Sequence, residues 1–273
     1  MKRCMLTLSG YDIHEQLSAS TRSRVFRACR SVDQQPVLIK IAAQAFPSSE
    51  DLARLRHEFD VGNTIADPHV MHYYALEDAR QGLALIAEDF GAKALAQVMP
   101  ARGFELTAFL RIALQLAQGL AAMHRSGGMH LQIHPHHIVI NPDTWVVQFI
   151  DFGMASRRQQ DTQQVMSPYG LEGPLAYLAP EQTGRMHQAI DERTDLYALG
   201  VTFYEMLTGS VPFPSHDPLE VMHAHLAIAP KPVYEVHPSI DVRGVLCGRG
   251  RSLTAYRIGK YSEAVLHLIA STL

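Results

Sequence analysis

The hydrophobic pattern of this chain changes character near residue 90. Before that point, residues 37–42 and 83–88 form short, partly β-branched apolar runs with a single helical pattern between them. After it, apolar residues recur at steps of three and four over residues 106–120. Residues 194–209 are so evenly apolar that a helix there must be almost enclosed by protein. Sequence typical of strands is therefore followed by sequence typical of helices.

This division predicts an α+β fold with two lobes. We expect a small, mainly β N-terminal lobe over residues 1–88 and a larger, mainly helical lobe over residues 89–240. A cleft between two such lobes is the usual place for a ligand. Residues 241–273 begin with closely spaced glycines, which are poor helix formers, so we expect an atypical C-terminal segment there.

The composition excludes several classes of protein. The 273 residues are 47% hydrophobic, and 24 basic residues oppose 27 acidic ones for a formal charge of −3. That balance lacks the basic surface that binds nucleic acid or anionic membranes. Cys4, Cys29 and Cys247 are too widely spaced for a disulfide framework or a zinc finger. Because we find neither an apolar run of membrane-spanning length nor the core of a secretory signal, we expect a cytoplasmic protein without a membrane span.

Four elements of chemical interest follow one another in a fixed order. Lys40 lies in a strand-like run, Glu58 in the helical pattern, and the tripeptides Asp151-Phe152-Gly153 and Ala179-Pro180-Glu181 come later. This order resembles a eukaryotic-type Ser/Thr protein kinase domain, from about Tyr11 to Ile240. More narrowly, the stretches HEFDVGNTI, EDFG, LEGPLAYLAPEQTGR and VTFYEMLTGSVPF resemble the kinase domain at the N-terminus of bacterial hybrid multi-sensor kinases.

The resemblance implies an ATP site with Mg²⁺. Lys40 would contact the α and β phosphates, Glu58 would hold the Lys40 ammonium in an ion pair, and Asp151 would hold Mg²⁺. Taken singly, Lys40 could be a solvated strand residue and Glu58 an ordinary surface acid. The nucleotide-binding residues implied together are Ser18, Val25, Lys40, Glu58, Glu88 and Asp151.

Two motifs depart from the family pattern. Serine stands at all three glycine positions of the glycine-rich loop, within residues 18–23, and its Cβ makes a close approach of backbone to phosphate costlier. The catalytic loop HRDxxxxN reads HLQIHPHH over residues 130–137, with Gln132 at the catalytic aspartate and His137 at the Mg²⁺-binding asparagine. A neutral amide cannot take up the hydroxyl proton, and imidazole is a poor ligand for Mg²⁺.

These departures predict an ATP-binding pseudokinase or a strongly impaired Ser/Thr kinase. The alternative is an active ATP-dependent Ser/Thr protein phosphotransferase with a non-standard catalytic loop, in which His134 or His136 acts as the base. Either would have a protein substrate or a signalling partner. The histidine-rich run is interpreted as loop histidines, with a transition-metal site as the lesser alternative. Arg257 or Lys260 is a candidate partner for Glu181.

Overall fold

The chain folds into two compact units. The computed structural model describes residues 7–80, 82–157, 174–184 and 189–237. Unit 1 consists of Met1–Ala92 and Ile150–Met154, and unit 2 of Lys93–Phe149 and Ala155–Leu273. Unit 1 is mainly β and unit 2 mainly helical, which confirms the predicted α+β, two-lobed fold class. The predicted boundaries at residues 88 and 240 stay predictions, and the segment 241–273 lies outside the described residues.

Unit 1 contains a five-stranded antiparallel sheet. Its strands are β1 (Tyr11–Ala19), β2 (Ser23–Arg30), β3 (Pro36–Ala42), β4 (Tyr73–Ala79) and β5 (Gly82–Glu88). The order across the sheet is β1-β2-β3-β5-β4. The apolar runs that predicted strands lie in β3 and β5, both of them interior strands. In β5 every residue from position 83 to 87 is buried, so side chains on both faces of this strand are covered.

One helix, α1 (Ser49–Gly62), accompanies this sheet. Ser48 begins it with a capping box, in which Ser48 Oγ accepts the N–H of Asp51 at 3.1 Å and the Asp51 carboxylate accepts the N–H of Ser48 at 3.0 Å. Leu55, Glu58 and Gly62 are buried at helical steps of three and four. The buried face of α1 therefore carries a carboxylate among apolar neighbours, which is unusual unless the carboxylate is paired.

Unit 2 consists of helices and short strands. Its helices are α2 (Leu95–Val98), α3 (Leu106–Arg125), α4 (Glu192–Thr208), α5 (Pro218–Ala227) and α6 (Val233–Val236). Its strands are β6 (Lys93–Ala94), β7 (Gly128–Met129), β8 (Ile138–Ile140), β9 (Val147–Phe149) and β10 (Ser156–Arg157). β8 and β9 form an antiparallel pair. Two 3₁₀ turns, Leu175–Tyr177 and Pro180–Thr183, precede α4.

The core of unit 2 forms around α3 and α4. Most of α4 is buried, as its even apolar pattern predicts, and Phe203 on α4 meets Phe109 on α3 edge to face with centroids 5.4 Å apart. By length and composition α3 is the one helix within the described ranges that could cross a membrane. Since the buried core helix of a globular protein passes the same test, this is a weak indication of a span.

Candidate active site

The six predicted nucleotide-binding residues all belong to unit 1. Strand register places three of them in one row across the sheet, because Ser18 on β1 lies opposite Val25 on β2, and Val25 lies opposite Lys40 on β3. Residues directly opposite each other in neighbouring strands project on the same face of a sheet. Glu88 ends β5, and its backbone N–H donates to the carbonyl of His72 at 3.1 Å.

The Lys40 ammonium bridges two carboxylates. Lys40 Nζ donates to Glu58 Oε2 at 2.7 Å and to Asp151 Oδ2 at 2.9 Å. Glu58 is 2% exposed, and Lys40 is largely buried as well. The alternative that Lys40 is a solvated strand residue and Glu58 a surface acid is therefore wrong. The expected ion pair is present, and it includes a third member from a distant part of the sequence.

Burial and charge act against each other in this cluster. Burial alone would lower the pKa of Lys40, but the carboxylates of Asp151 and Glu58 outweigh it and hold that pKa above its ordinary value. Lys40 therefore remains a cation at neutral pH. The ammonium of Lys40 is held in one position by these two acceptors.

The segment that carries Asp151 has a constrained backbone. Asp151 has a φ of 67°, a left-handed conformation that costs about 1–3 kcal/mol for a residue other than glycine. The adjacent Phe152 is fully buried, and its ring meets Tyr73 edge to face at 6.3 Å. Packing of Phe152 and pairing of Asp151 with Lys40 together offset this strain. They also explain why Ile150–Met154 belongs to unit 1.

The turn between β1 and β2 satisfies its own donors. Ser20 Oγ accepts the N–H of Ser23 at 2.9 Å and the N–H of Arg22 at 3.2 Å, and the N–H of Ser20 donates to the Ser23 carbonyl at 2.9 Å. In a glycine-rich phosphate loop such amides would face the ligand. Here the Ser20 hydroxyl accepts hydrogen bonds from two of them.

The segment that follows β5, residues 89–91, is held by a salt bridge that sequence reasoning missed. Arg27 Nε donates to Asp89 Oδ2 at 2.6 Å, and Asp89 Oδ1 accepts the N–H of Gly91 at 2.9 Å. The signal in the sequence was an acid within EDFG, but no spacing rule links it to an arginine on β2.

In unit 2, a buried carboxylate organises the catalytic-loop backbone. Asp195 on α4 is fully buried and accepts the N–H of His130 at 2.8 Å and of Leu131 at 2.7 Å, and His124 Nε2 approaches the same carboxylate at 2.9 Å. Gln182 Nε2 donates to the carbonyl of Leu131 at 3.0 Å. These bonds hold Leu131 at a φ of 64°. The backbone of residues 130–131 is therefore held by side chains from outside the loop.

The replaced residues of this loop are bonded among themselves. His137 Nδ1 lies 3.0 Å from the backbone carbonyl of Gln132. Because a carbonyl only accepts, Nδ1 carries the proton. His134 is 6% exposed, and its ring lies 3.9 Å from that of His137, centroid to centroid. Within the part of the chain that the structure describes, no group of three or more His, Cys, Asp or Glu side chains could hold a metal ion.

The tripeptide Ala179-Pro180-Glu181 is tied to the start of α4. Thr194 Oγ1 donates to Glu181 Oε1 at 2.6 Å. Glu181 Oε2 is buried and has no hydrogen-bond partner among residues 7–80, 82–157, 174–184 and 189–237. The candidate partners Arg257 and Lys260 lie outside the described residues, so their pairing with Glu181 stays a prediction.

Comparison with known proteins decides the family. The model of the protein kinase domain family matches residues 11–273, nearly the whole chain. The chain belongs to the protein kinase domain family. Its bacterial homologues support a eukaryotic-type Ser/Thr kinase domain, as the order of motifs predicts. The family match extends past Ile240, where the resemblance was expected to end.

The relatives of this kinase domain are larger proteins. It is 37% identical over 221 residues to "Probable serine/threonine-protein kinase pknA2" of Bifidobacterium longum, covering 79% of this chain and 28% of that protein. It is 29% identical over 236 residues to "Serine/threonine-protein kinase PknE" of Mycobacterium bovis, covering 85% of this chain and 40% of that protein. A "Probable serine/threonine-protein kinase" of Clostridium acetobutylicum is 26% identical over 234 residues, 85% of this chain and 35% of its own. The chain thus spans about a third of the length of these relatives.

Proposed function

We propose that this kinase domain binds ATP with Mg²⁺ through unit 1 and that its phosphotransfer step is absent or strongly impaired. The observation that carries ATP binding is the Lys40 ammonium, 2.7 Å from Glu58 and 2.9 Å from Asp151. A fixed buried cation is what the phosphates of a nucleotide require. Ser18, Val25 and the backbone around Glu88 would line the rest of the nucleotide.

Of the two family positions that hold Mg²⁺, Asp151 suits the ion and His137 does not. Asp151 offers carboxylate oxygen, the ligand that Mg²⁺ prefers, and would hold the ion. His137 offers imidazole, which suits transition metals, and its Nδ1–H is engaged with the Gln132 carbonyl. A bound Mg²⁺ would neutralise charge on the phosphates. With only one of the two family positions suited to it, that contribution is reduced.

The base position argues against ordinary turnover. Gln132 has an amide that can orient a hydroxyl by accepting a hydrogen bond but cannot take its proton. A general base contributes about 10² to 10⁴ in rate, so its replacement alone can reduce transfer to a trace. We therefore propose a nucleotide-responsive module for a protein partner in the cytoplasm, in preference to a catalyst of protein phosphorylation.

One observation favours the alternative of an active phosphotransferase. The backbone of residues 130–131 is held by Asp195 although the side chains of the loop differ from the family pattern. With the backbone in place, His134 or His136 could act as a base near neutral pH. This alternative predicts transfer that depends on Asp151.

The test of ATP binding is calorimetric titration with ATP, in the presence and absence of Mg²⁺. We expect saturable binding by the wild-type chain and a loss of at least about tenfold in Lys40→Met, because the main phosphate contact is removed. Lys93→Met, which removes an exposed lysine on β6, is the matched control and should bind like wild type. Absence of binding by the wild-type chain, or equal affinity in Lys40→Met, contradicts the proposal.

A further inference from the structure

Gly62, the last residue of α1, creates space for Tyr73, the first residue of β4. A Cβ built on Gly62 would lie 2.4 Å from Tyr73 Cε2 and 2.6 Å from Cδ2, far closer than real Cβ contacts. Gly62 has no positive φ, so glycine is required here for space and not for backbone conformation. Glycine is also a poor helix former. Because Gly62 has no side chain, the helix leaves room at this position for the ring of Tyr73.

The hydroxyl of this tyrosine fixes the second oxygen of Glu58. Tyr73 Oη donates to Glu58 Oε1 at 2.8 Å, while Lys40 Nζ donates to Glu58 Oε2 at 2.7 Å. Tyr73 is 4% exposed. An ionised carboxylate can only accept, so Tyr73 is the donor. Burial, with the nearby Glu58 charge, raises the pKa of Tyr73 well above its ordinary value and keeps that donor protonated. Each Glu58 oxygen is thus held by a separate donor.

The same side chain also contacts the neighbour of Asp151. The Tyr73 ring meets Phe152 edge to face at 6.3 Å, with an interplanar angle of 87°. Phe152 directly follows Asp151, the other carboxylate bound to Lys40. Tyr73 therefore touches both segments that supply acceptors to Lys40, through its hydroxyl on one side and its ring on the other.

We propose that Tyr73 is a positioning residue that holds the Lys40 ammonium in place through Glu58 and Phe152, and that Gly62 is the structural condition for it. This inference rests on the proposed ATP binding. Tyr73 acts on the part of the nucleotide that Lys40 contacts, the phosphates. Loss of its hydroxyl should weaken binding of phosphate-bearing nucleotides and leave binding of adenosine unchanged.

The experiment compares Kd values for ATP and adenosine in three chains. Tyr73→Phe keeps the ring and removes the hydroxyl, and Tyr74→Phe is the matched control. Tyr74 Oη accepts from Gln35 Nε2 at 2.9 Å and makes no bond to the Lys40 cluster in the described structure. We expect Tyr73→Phe to raise the Kd for ATP by about tenfold, the effect of one hydrogen bond to a charged group, with the adenosine Kd unchanged. Tyr74→Phe should match wild type for both ligands.

Two further variants test whether Gly62 provides the space for the Tyr73 ring. They also keep the inference testable if Tyr73→Phe does not fold. Gly62→Ala should lower the melting temperature by roughly 5 °C or more, because its Cβ meets the ring. Gly62→Ala combined with Tyr73→Leu should recover part of that loss and still bind ATP weakly, with adenosine bound as in wild type.

Three results would overturn the inference. Equal ATP affinity in Tyr73→Phe and wild type would show that the hydroxyl does not position Lys40. Equal losses for ATP and adenosine would assign Tyr73 a general structural role. ATP binding by Gly62→Ala/Tyr73→Leu at wild-type strength would show that Tyr73 is not needed to position Lys40. Failure of the wild-type chain to bind ATP would instead refute the proposed function on which the inference rests.

Discussion

The two units carry different groups of the residues that the sequence predicts for a kinase site. In unit 1, the side chains of Lys40, Glu58 and Asp151 are joined by short ion pairs, as phosphate binding requires. In unit 2, the backbone of the catalytic loop is bonded to Asp195, but Gln132 and His137 stand where an acid–base group and a metal ligand are expected. The proposed function assigns binding to the charged side chains of unit 1 and the impaired transfer to the altered side chains of unit 2. The Asp195 carboxylate holds the backbone of residues 130–131, so this part of the loop does not depend on the side chains at positions 132 and 137.

The largest expected effect comes from breaking the scaffold of unit 2. Asp195→Ala should lower the free energy of unfolding by about 3–5 kcal/mol, because buried N–H donors of His130 and Leu131 lose their acceptor. Denaturant titration followed through Trp145, the single tryptophan, measures it. Asp191→Ala, at the exposed N-cap of the same helix, should cost about 1 kcal/mol. Similar losses in the two variants would contradict the scaffold role of Asp195.

The next effect is a pH dependence of the free energy of unfolding that arises from a histidine of unit 2. His225 on α5 is buried, its Nδ1 lies 2.7 Å from Tyr197 Oη, and burial lowers its pKa to about 4. Its folded pKa lies below the unfolded value of about 6.5, so the unfolded state binds the proton first and stability falls as pH drops from 6.5 towards 4. Between pH 7.5 and 5 this amounts to about 2 kcal/mol.

The measurement is denaturant unfolding of wild type and His225→Gln at several pH values. His225→Gln should be less stable at pH 7.5 and lose less on acidification. His223→Gln, an exposed histidine on the same helix, is the control and should follow wild type. Parallel pH profiles for wild type and His225→Gln would show that His225 does not contribute this dependence.

A smaller effect sharpens the description of unit 1. Ser20→Gly removes the hydroxyl that occupies the amides of Arg22 and Ser23, so those donors become available to a phosphate. We expect ATP to bind a few fold more tightly, about 1 kcal/mol or less, with adenosine unchanged. Ser31→Gly, at the other end of β2, is the matched control. Tighter binding of both ligands, or no change for ATP, would contradict the assignment of these amides.

The smallest expected effect is that of restoring the catalytic aspartate alone. Gln132→Asp should give no measurable gain in phosphotransfer, because His137 still stands at the second metal position. A radiolabel assay of Gln132→Asp beside Gln132→Asp/His137→Asn measures this. A clear gain from the single change would refute the account of compounded loss.

The sequence predicted the charged half of the site better than its supports. The order of Lys40, Glu58 and Asp151 resembles that of the kinase family, and the resemblance predicted the Lys40–Glu58 ion pair that the structure contains. The partnership of Tyr73 with Gly62 was not predictable, since a tyrosine at a strand start and a glycine at a helix end carry ordinary interpretations. Their partnership depends on a tertiary contact between Gly62 and Tyr73, which a hydrophobic period in the sequence does not reveal. The fold class was predictable for a simpler reason: strand and helix patterns are segregated on either side of residue 90.

The catalytic loop shows the opposite limit. Its departures from the family pattern are legible in HLQIHPHH, yet the sequence does not indicate that the loop backbone survives them. That conclusion depends on Asp195, which the sequence presents only as an acid at the start of an apolar helix. A buried acid whose acceptors face backbone N–H groups can be recognised only once the tertiary contacts are known.

The most direct test of the account measures binding and transfer on the same sample. ATP labelled at the γ phosphate is added with Mg²⁺ or Mn²⁺ to wild type and to Asp151→Asn, and both bound nucleotide and label transferred to the chain or to a generic protein are counted. The account predicts that wild type binds ATP and that its transfer stays at or close to the level of Asp151→Asn. Transfer by wild type that Asp151→Asn abolishes would contradict it and establish the active phosphotransferase.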